Sequence, residues 1–408
     1  MRSSAARITA LSILAVLSAC TDRAPISTGP GIVASRNGVP FAEGLASPIW
    51  QGTAATQVGH ANFAPYIAGR AYSLLGVAQY LAVQRAEAVN AGEGRSRLES
   101  DRGAVAGASA VVLTYLFPTQ AQAFEDVVAT QANAGPGGVH PAFRRAEAIG
   151  RAVGAEIVTR ARGDGFNTPF AGIIPVDAAN HGLWISNFNP PTIAGGQLPT
   201  SLPWFLTSAS QFRSEAPPAF GSAAFLTALA EIRQISDTRT ADQIRIAGIW
   251  ALNAGGPTAP GFWMQVATDG INQNGLSERE ATHLYALLSA TMYDAFIGCW
   301  DTKQTYWYVR PWRADVVIKT VGAVGKPNHP SYPSGHSCVS SSGAAVLSEF
   351  FPDQRSHLDS MVTEAGLSRM YGGIHYRFDI DSGQALGRNV ARFAIAADAS
   401  GNSVLTAR

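Results

Sequence analysis

Three short polar segments, confined to residues 303–379, constrain what this chain can fold into more than any other feature. They supply three cations, two histidines, a carboxylate and a Ser-Gly turn. Such a set fits the binding of a tetrahedral oxyanion and chemistry at its central atom. The fold therefore has to bring together Lys303 and Arg310 before Pro311, the run Pro333-Ser334-Gly335-His336, and Ser368-Arg369 followed by His375 and Asp379.

The first segment predicts two cations on one helix face. Lys303 and Arg310 are seven residues apart, a spacing that brings side chains to the same side of a helix, and Pro311 is a plausible helix stop. Arg369 would add a third positive charge, because a guanidinium fork pairs with two oxygens of a phosphate-like group.

The second segment reads as a helix start before the apolar run from Val339 to Phe350. Ser334 and Gly335 can offer a hydroxyl and backbone N–H groups there, where the helix dipole favours an anion. His336 is placed to act as a general acid that protonates a leaving oxygen.

The third segment contains a histidine with its own orienting carboxylate. His375 and Asp379 are four residues apart, so on a helix they would stack. Asp379 would accept from one imidazole nitrogen and leave the other free to attack or to ligate. Taken singly, the three segments fit a solvated face, a helix cap and a surface ion pair. Their joint occurrence favours a site.

The patterns Lys-x6-Arg-Pro, Pro-Ser-Gly-His and Ser-Arg-x5-His-x3-Asp resemble the three-part signature of the type 2 phosphatidic acid phosphatase and vanadium haloperoxidase superfamily, without a substitution. The resemblance implies an all-α helical fold. In the phosphatase branch His375 would be the nucleophile, with His336 as acid and then base. In the peroxidase branch His375 would bind the vanadium of vanadate, Lys303 would polarise the bound peroxide, and the equatorial oxygens would be held by Lys303, Arg310, Arg369, Ser334 and Gly335.

Two further residues resemble the peroxidase pattern. Trp300, one helical turn before Lys303, could stand over the pocket and donate its indole N–H, and His329 precedes His336 by seven residues. Both also fit ordinary core and loop positions.

The segment 175–265, rich in Trp, Pro, Asn and Gly, is either packing over the core or a wall of the substrate channel. The stretches of sequence between the three motifs are short, and their lengths resemble those of the phosphatase branch more than those of the peroxidase branch.

Composition limits the remaining possibilities. The chain has 408 residues, is 46% hydrophobic and only 14% charged, which indicates a large buried core. A net charge of +1 gives no electrostatic case for nucleic-acid binding.

The N-terminus predicts an exported lipoprotein. Arg2 and Arg7 precede a short apolar stretch, and Leu17-Ser18-Ala19-Cys20 resembles a bacterial lipobox. An ordinary signal peptide is the alternative. Residues 1–20 would be the signal, 21–45 a flexible tether, and Cys20 the lipid anchor in the cell envelope. No later stretch is long enough for a transmembrane span.

Helical periodicity dominates after the tether, with no alternation long enough for a sheet. We therefore expect an all-α bundle made of two packed four-helix-bundle-like halves, 46–235 and 236–402, with the oxyanion site in the second. Predicted helices cover 61–91, 103–116, 121–132, 144–162, 222–235, 241–253, 278–303, 339–351, 360–370 and 382–397.

These observations favour a vanadium-dependent haloperoxidase that oxidises halide with hydrogen peroxide, with vanadate as the cofactor. A soluble acid phosphatase that hydrolyses phosphomonoesters through a phosphohistidine is the first alternative, and a non-catalytic phosphate-binding protein is the second. Cys299 and Cys338 flank the first two motifs. They would either form a disulfide that pins those motifs together or remain two buried thiols.

Overall fold

The computed structural model describes residues 33–34, 40–41, 44–89, 95–134, 140–176 and 182–406. The predicted signal peptide and most of the predicted tether lie outside these ranges, as does Cys20. The described residues form one compact unit.

The all-α prediction is confirmed, since the described chain is built almost entirely from helices. A two-residue strand pair, β1 (Val33–Ala34) and β2 (Pro40–Phe41), precedes them. The helices are α1 (Ala46–His60), α2 (Pro65–Val89), α3 (Arg95–Leu116), α4 (Ala121–Ala132), α5 (Pro141–Arg162), α6 (Ala223–Thr238), α7 (Ala241–Ile249), α8 (Ala259–Asn274), α9 (Glu278–Tyr306), α10 (Pro311–Ala314), α11 (Gly335–Phe350), α12 (Arg355–Tyr371) and α13 (Arg377–Ala399).

The helix α9 is the centre of the molecule. It is buried on all sides over most of its length, which is typical of a helix enclosed by others and not of one that covers a core. On one side it packs on α2, which packs in turn on α3 and α5, and on the other it packs on α11 and α13. The predicted boundary between the halves, at residues 235 and 236, falls within α6.

Small residues allow the closest helix contacts. Gly103 in α3 and Gly150 in α5 stand where a Cβ would lie within 2.2 Å of a backbone oxygen of the facing helix. Since any side chain would force the two helices apart, these positions account for the intimate packing of α3 on α5.

The predicted helices all correspond to helices of the structure, and α4 has the predicted bounds. Within 61–91 the helix α2 begins only at Pro65, because the chain turns after α1 at Asn62 with a φ of 53°. The helices α1, α8 and α10 were not predicted. Among the described residues, no helix is both long and apolar enough to cross a membrane.

Candidate active site

Lys303 and Arg310 do not share a helix face, so that prediction is wrong. The helix α9 ends at Tyr306, and Trp307 takes a left-handed conformation with a φ of 47° as its C-cap. Arg310 lies beyond this turn, in extended conformation, and Pro311 begins α10 where a helix stop was expected. The turn, and not helical periodicity, brings the second cation back toward the first.

Lys303 is fully buried and fixes the loop before α11. Its ammonium donates to the backbone oxygens of Pro330 and Ser331, at 2.8 and 2.9 Å, and to that of Pro333. Burial lowers the pKa of Lys303 to about 8. In this structure Lys303 therefore supports the wall of the site from behind.

The predicted helix start at the second motif is confirmed. Ser334 is the N-cap of α11, and its hydroxyl accepts from the backbone N–H of Ser337 at 3.3 Å. The amides of Gly335 and His336 belong to the first turn, where a helix provides no intrahelical acceptors. These two N–H groups and the positive end of the helix dipole are features that favour an anion.

His375 and Asp379 form the predicted pair, although not by stacking along a helix. His375 precedes α13, and Asp379 is the third residue of that helix. The Asp379 Oδ2 atom accepts from His375 Nδ1 at 2.7 Å, from the Ser331 hydroxyl at 2.5 Å and from the backbone N–H of Tyr376 at 3.1 Å. Burial raises the pKa of Asp379 to about 6, opposed by the Ser331 hydrogen bond and the nearby cations.

The other nitrogen of His375 faces a cation. Nη1 of Arg310 donates to His375 Nε2 at 3.0 Å, while the Nδ1 proton is held by Asp379. Burial, and then the charges of Arg310 and Lys303, hold the pKa of His375 well below its usual range. The imidazole is therefore neutral, with its lone pair on Nε2, as a nucleophile or a metal ligand requires.

Arg310 connects two histidines. Besides its contact with His375, its guanidinium donates through Nη2 to His329 Nδ1 at 3.1 Å and through Nε to the His329 backbone oxygen at 3.1 Å. Burial lowers the pKa of Arg310 to about 10. His329 thus lies within reach of the site, as predicted, and its own pKa is lowered well below the usual value by burial.

Arg369 is the third buried cation. Its Nε donates to the Ser368 hydroxyl at 2.9 Å, and its Nη2 donates to the Ala247 backbone oxygen at 3.1 Å. Burial, followed by the charge of Arg310, lowers the pKa of Arg369 to about 9. These hydrogen bonds hold the Arg369 guanidinium at the cavity. Because both acceptors are uncharged, they do not neutralise its charge.

A cavity of about 270 Å³ opens onto this arrangement. Of the predicted site residues, six line it, whereas Lys303, Arg310, Ser334 and Asp379 stand behind its wall. The remaining lining is mostly apolar. The lining residues are Ala64, Pro65, Tyr66, Ala194, Asn253, Ala259, Phe296, Trp300, Val324, Lys326, Pro327, Asn328, His329, Gly335, His336, Arg369, Ile374 and His375.

The residues fit an oxyanion such as vanadate or phosphate. His336 Nε2 is a buried polar atom without a hydrogen-bond partner in the described structure. His336 bonds instead to the backbone of Ala251 and Trp250, which leaves Nε2 for a ligand. Three buried cations face one carboxylate, and an oxyanion would compensate the excess charge. Burial and the charge of Arg369 lower the pKa of His336 well below its usual range.

Trp300 lines the cavity as predicted, but its indole N–H is directed elsewhere. Nε1 donates to the Ala194 backbone oxygen at 2.8 Å. The ring lies 4.9 Å from that of His329 and 5.6 Å from the Lys303 ammonium, measured from its centroid. The tryptophan therefore fixes the segment around Ala194 as a wall.

Asn328 anchors the same wall. Its Oδ1 accepts from the backbone N–H of Asn187 at 2.8 Å, and its Nδ2 donates to the Thr192 backbone oxygen at 2.9 Å. Its own backbone oxygen accepts from the Ala194 N–H at 2.9 Å. Part of the segment 175–265 thus forms a wall of the cavity, and its role as the wall of a substrate channel stays a prediction. The four tryptophans of that segment, Trp184, Trp204, Trp250 and Trp263, are buried.

Two glycines set the distance between the second and third motifs. A Cβ at Gly383 would lie 2.7 Å from the Ser334 oxygen, and one at Gly387 would lie 2.2 Å from the Cys338 oxygen. The helix α13 can approach the start of α11 because neither position has a side chain. The Ser334 N–H then donates to the Asp379 backbone oxygen at 2.9 Å.

Cys299 and Cys338 are buried free thiols, so the disulfide alternative is wrong in this structure. The predicted proximity of the two cysteines is confirmed, since their side chains hydrogen-bond to each other. Cys299 also approaches the Pro333 backbone oxygen at 3.9 Å.

Sequence reasoning missed several polar residues of the site, among them the following three. Ser331 is the second donor to Asp379, Asn328 holds the wall, and Lys326 lines the cavity. Ser331 and Asn328 lie within two residues of His329 in the sequence. Their closeness to that candidate residue was the signal that could have identified them. Lys326 had none, because its position depends on the loop between α10 and α11.

Comparison with known proteins places the three motifs in one sequence family. Residues 281–399 match the model of the PAP2 superfamily. A non-specific acid phosphatase of Providencia stuartii is 30% identical over 112 residues. That match covers 26% of this chain and 44% of the phosphatase, so the chain spans less than half of its curated relative.

The fold is similar to solved structures along most of its length. The first bacterial vanadium-dependent iodoperoxidase superposes with a TM-score of 0.73 over 86% of this chain and 95% of its own, at 24% identity. A holo bacterial vanadium-dependent chloroperoxidase gives a TM-score of 0.67 over 84% and 93%, at 14% identity. The stretch that carries the three motifs thus matches the PAP2 superfamily, and the helical fold along most of the chain is similar to that of bacterial vanadium-dependent haloperoxidases.

Proposed function

We propose that the protein is a vanadium-dependent haloperoxidase, an enzyme that oxidises halide with hydrogen peroxide. The observation that carries this proposal is the state of His375, a neutral buried imidazole whose Nε2 faces a cation and whose Nδ1 is fixed by Asp379. That geometry suits coordination of an oxyanion at its central atom. The haloperoxidase fold extends over 86% of the chain, including the helices before α9, and this favours the peroxidase branch.

The chain's own residues would bind and orient the reactants. His375 Nε2 would hold vanadate, while Arg369, Arg310 and the amides of Gly335 and His336 would hold its oxygens. Vanadate, when bound, would supply a Lewis acid that activates peroxide without changing oxidation state. Lys303, held against three backbone oxygens, contributes a positive field from behind the loop.

His336 is placed to move a proton at the cavity. Its Nε2 has no partner in the described structure and faces the space that the reactants would enter. As a neutral imidazole it can accept a proton from peroxide and return it to a leaving oxygen. Apolar side chains line much of the remaining cavity, which limits the water that competes for these hydrogen bonds.

A soluble acid phosphatase is the second candidate. The acid phosphatase of Providencia stuartii is 30% identical over a stretch that covers about a quarter of the chain. In this reaction His336 would first take the proton of a phosphomonoester monoanion. His375 Nε2 would then attack phosphorus as the P–O bond breaks, and His336 would pass that proton to the leaving oxygen. Water would then cleave the phosphohistidine with His336 as base.

One pair of assays separates the candidates. After incubation with orthovanadate in phosphate-free buffer, the peroxidase would halogenate a phenolic dye with iodide or bromide and hydrogen peroxide. The phosphatase would release p-nitrophenol from its phosphate ester without added metal, and vanadate would inhibit it. His375→Ala is the inactive control in both. Phosphate binding with neither activity would favour a non-catalytic phosphate-binding protein and overturn the proposal.

Export as a lipoprotein anchored at Cys20 is a separate proposal, supported by the sequence alone. Expressed in a bacterium, the wild-type protein should incorporate labelled palmitate and sediment with membranes. Cys20→Ser should lose the label. An unlabelled wild-type protein released after cleavage would instead support an ordinary signal peptide.

A further inference from the structure

The chain contains only three lysines, at positions 303, 319 and 326, and they have different surroundings. Lys303 is buried behind the site. Lys319 and Lys326 are both exposed, but only Lys326 lines the active-site cavity. The position of Lys326 therefore calls for a functional explanation that Lys319 does not need.

The charges around the cavity have one sign. Among the described residues that line it, Lys326 and Arg369 are cations, three are histidines, and none is an aspartate or glutamate. The carboxylate that contacts His375, Asp379, is fully buried and does not line the cavity. A concave site lined by charges of one sign concentrates counter-ions and speeds their association.

The charge of Lys326 is not neutralised within the described chain. Exposed arginines elsewhere pair with carboxylates, as Arg213 does with Asp301 and Arg377 does with Glu231. Lys326 has no such partner among the described residues. Its ammonium is therefore free to contact an anion that approaches the cavity.

The backbone of Lys326 is fixed at the rim. Its oxygen accepts from Asn187 Nδ2 at 3.0 Å, and the following Asn328 is held by the 187–194 wall. Asn187 Oδ1 also accepts from Arg313 Nη2 at 3.3 Å, which adds a second cation near the rim.

We propose that Lys326 is a capture residue for anionic reactants. It attracts the anion to the rim and delivers it to Arg369 and His375, and it increases the association rate without contributing to the chemical step. The proposal rests on the oxyanion site proposed above and adds a binding residue to it. The same residue would serve a halide, vanadate or a phosphomonoester, because all three are anions, and would not affect neutral hydrogen peroxide.

The test measures association of orthovanadate with the full chain by stopped-flow tryptophan fluorescence over a range of salt concentrations. Lys326→Gln should lower the association rate constant by about three- to tenfold at low salt and reduce its salt dependence. The dissociation rate should not change. Lys326→Arg should restore association, and Lys319→Gln, the matched exposed lysine, should behave as wild type.

Each other outcome is decisive. An unchanged association rate in Lys326→Gln would overturn the proposal, and so would a loss confined to the dissociation rate, which would make Lys326 a ligand of the bound anion. An equal loss in Lys319→Gln would show that only overall charge matters. A wild-type protein that binds neither vanadate nor phosphate would overturn the oxyanion site itself, and this proposal with it.

Discussion

The Nε2 atom of His375 lies 3.0 Å from Nη1 of Arg310, so its lone pair accepts a hydrogen bond from a buried guanidinium. An anion that reaches His375 would take over this donor, because the guanidinium and the anion approach the same nitrogen. Arg310 therefore influences both the affinity for oxyanions and the proton affinity of the imidazole.

Arg310→Ala should weaken oxyanion binding and raise the pKa of His375. The charge of Arg310 is the strongest electrostatic influence that lowers this pKa, after burial. NMR titration of the His375 ring would measure the shift, and calorimetry with sulfate would measure affinity. Arg369→Ala should weaken sulfate binding with a smaller effect on His375. An unchanged His375 pKa in Arg310→Ala would contradict the contact.

His375→Ala should abolish turnover of either reaction while the protein remains folded. Asp379→Asn should lower turnover by about 10- to 100-fold, since the amide still contacts His375 but no longer fixes its tautomer as a carboxylate does. His357→Ala, an exposed histidine of α12, is the control and should be fully active. Wild-type turnover in His375→Ala would rule out the assigned role.

Oxyanion affinity should fall as pH rises through about 8. Lys303 has a pKa near 8 in the free protein, so its positive charge is present below that value and lost above it. Sulfate is a suitable probe because it remains a dianion throughout this range. Binding should weaken up to tenfold per pH unit above 8, until the bound-state pKa is reached.

Two variants identify the residue responsible for that pH dependence. Lys303→Arg should move the loss of affinity to higher pH, because it keeps a charge of higher pKa. Lys303→Met should abolish the loss of oxyanion affinity near pH 8. It should also destabilise the fold by at least about 2 kcal/mol, since buried backbone oxygens lose their hydrogen-bond donor. A step near pH 8 that persists in Lys303→Arg would assign it to another group.

Gly387→Ala should destabilise the protein by about 1–3 kcal/mol or more, because its Cβ would lie 2.2 Å from the Cys338 oxygen. Gly298→Ala is the matched control. That glycine is also buried in a helix, and its Cβ would approach no atom closer than 3.6 Å. Denaturant unfolding would compare the two free energies. Equal stability of the two variants would contradict the packing of α13 on α11.

Asn328→Ala should release the cavity wall. Hydrogen exchange at the Asn187 amide should accelerate about tenfold or less, as expected for one lost hydrogen bond. Asn328→Asp keeps the acceptor for Asn187 but loses the donor to Thr192, so its effect should be confined to that neighbour. Unchanged exchange at Asn187 in Asn328→Ala would show that the wall is held by other contacts.

The helical fold and most of the oxyanion residues could be predicted from the sequence because both have local signals. Periodicity identified α9 and α11, and Ser334 marked the start of α11 through its capping chemistry. The pairing of His375 with Asp379 was correct even though His375 lies outside α13. Residues four apart in sequence can also contact each other across a helix start. The side chain of the third helical residue, here Asp379, then points back toward the residues that precede the helix.

What could not be predicted depends on the path of the chain between helices. The left-handed turn at Trp307 places Arg310, and Trp is an uncommon residue for that conformation. The hydrogen bonds that Lys303 donates to the loop at 330–333 could not be predicted, because the sequence does not show where that loop runs. The helix α1 was missed because its apolar side chains do not form one clear stripe.

The floor and the rim of the cavity have different origins in the chain. The floor comes from the start of α11, the end of α12 and the residues before α13, which α9 and the glycines of α13 hold rigidly. The rim at Val324–Asn328 comes from a loop. Changes in that loop could therefore alter which molecules are admitted while leaving the reactive centre intact, so selectivity in this lineage can evolve independently of chemistry.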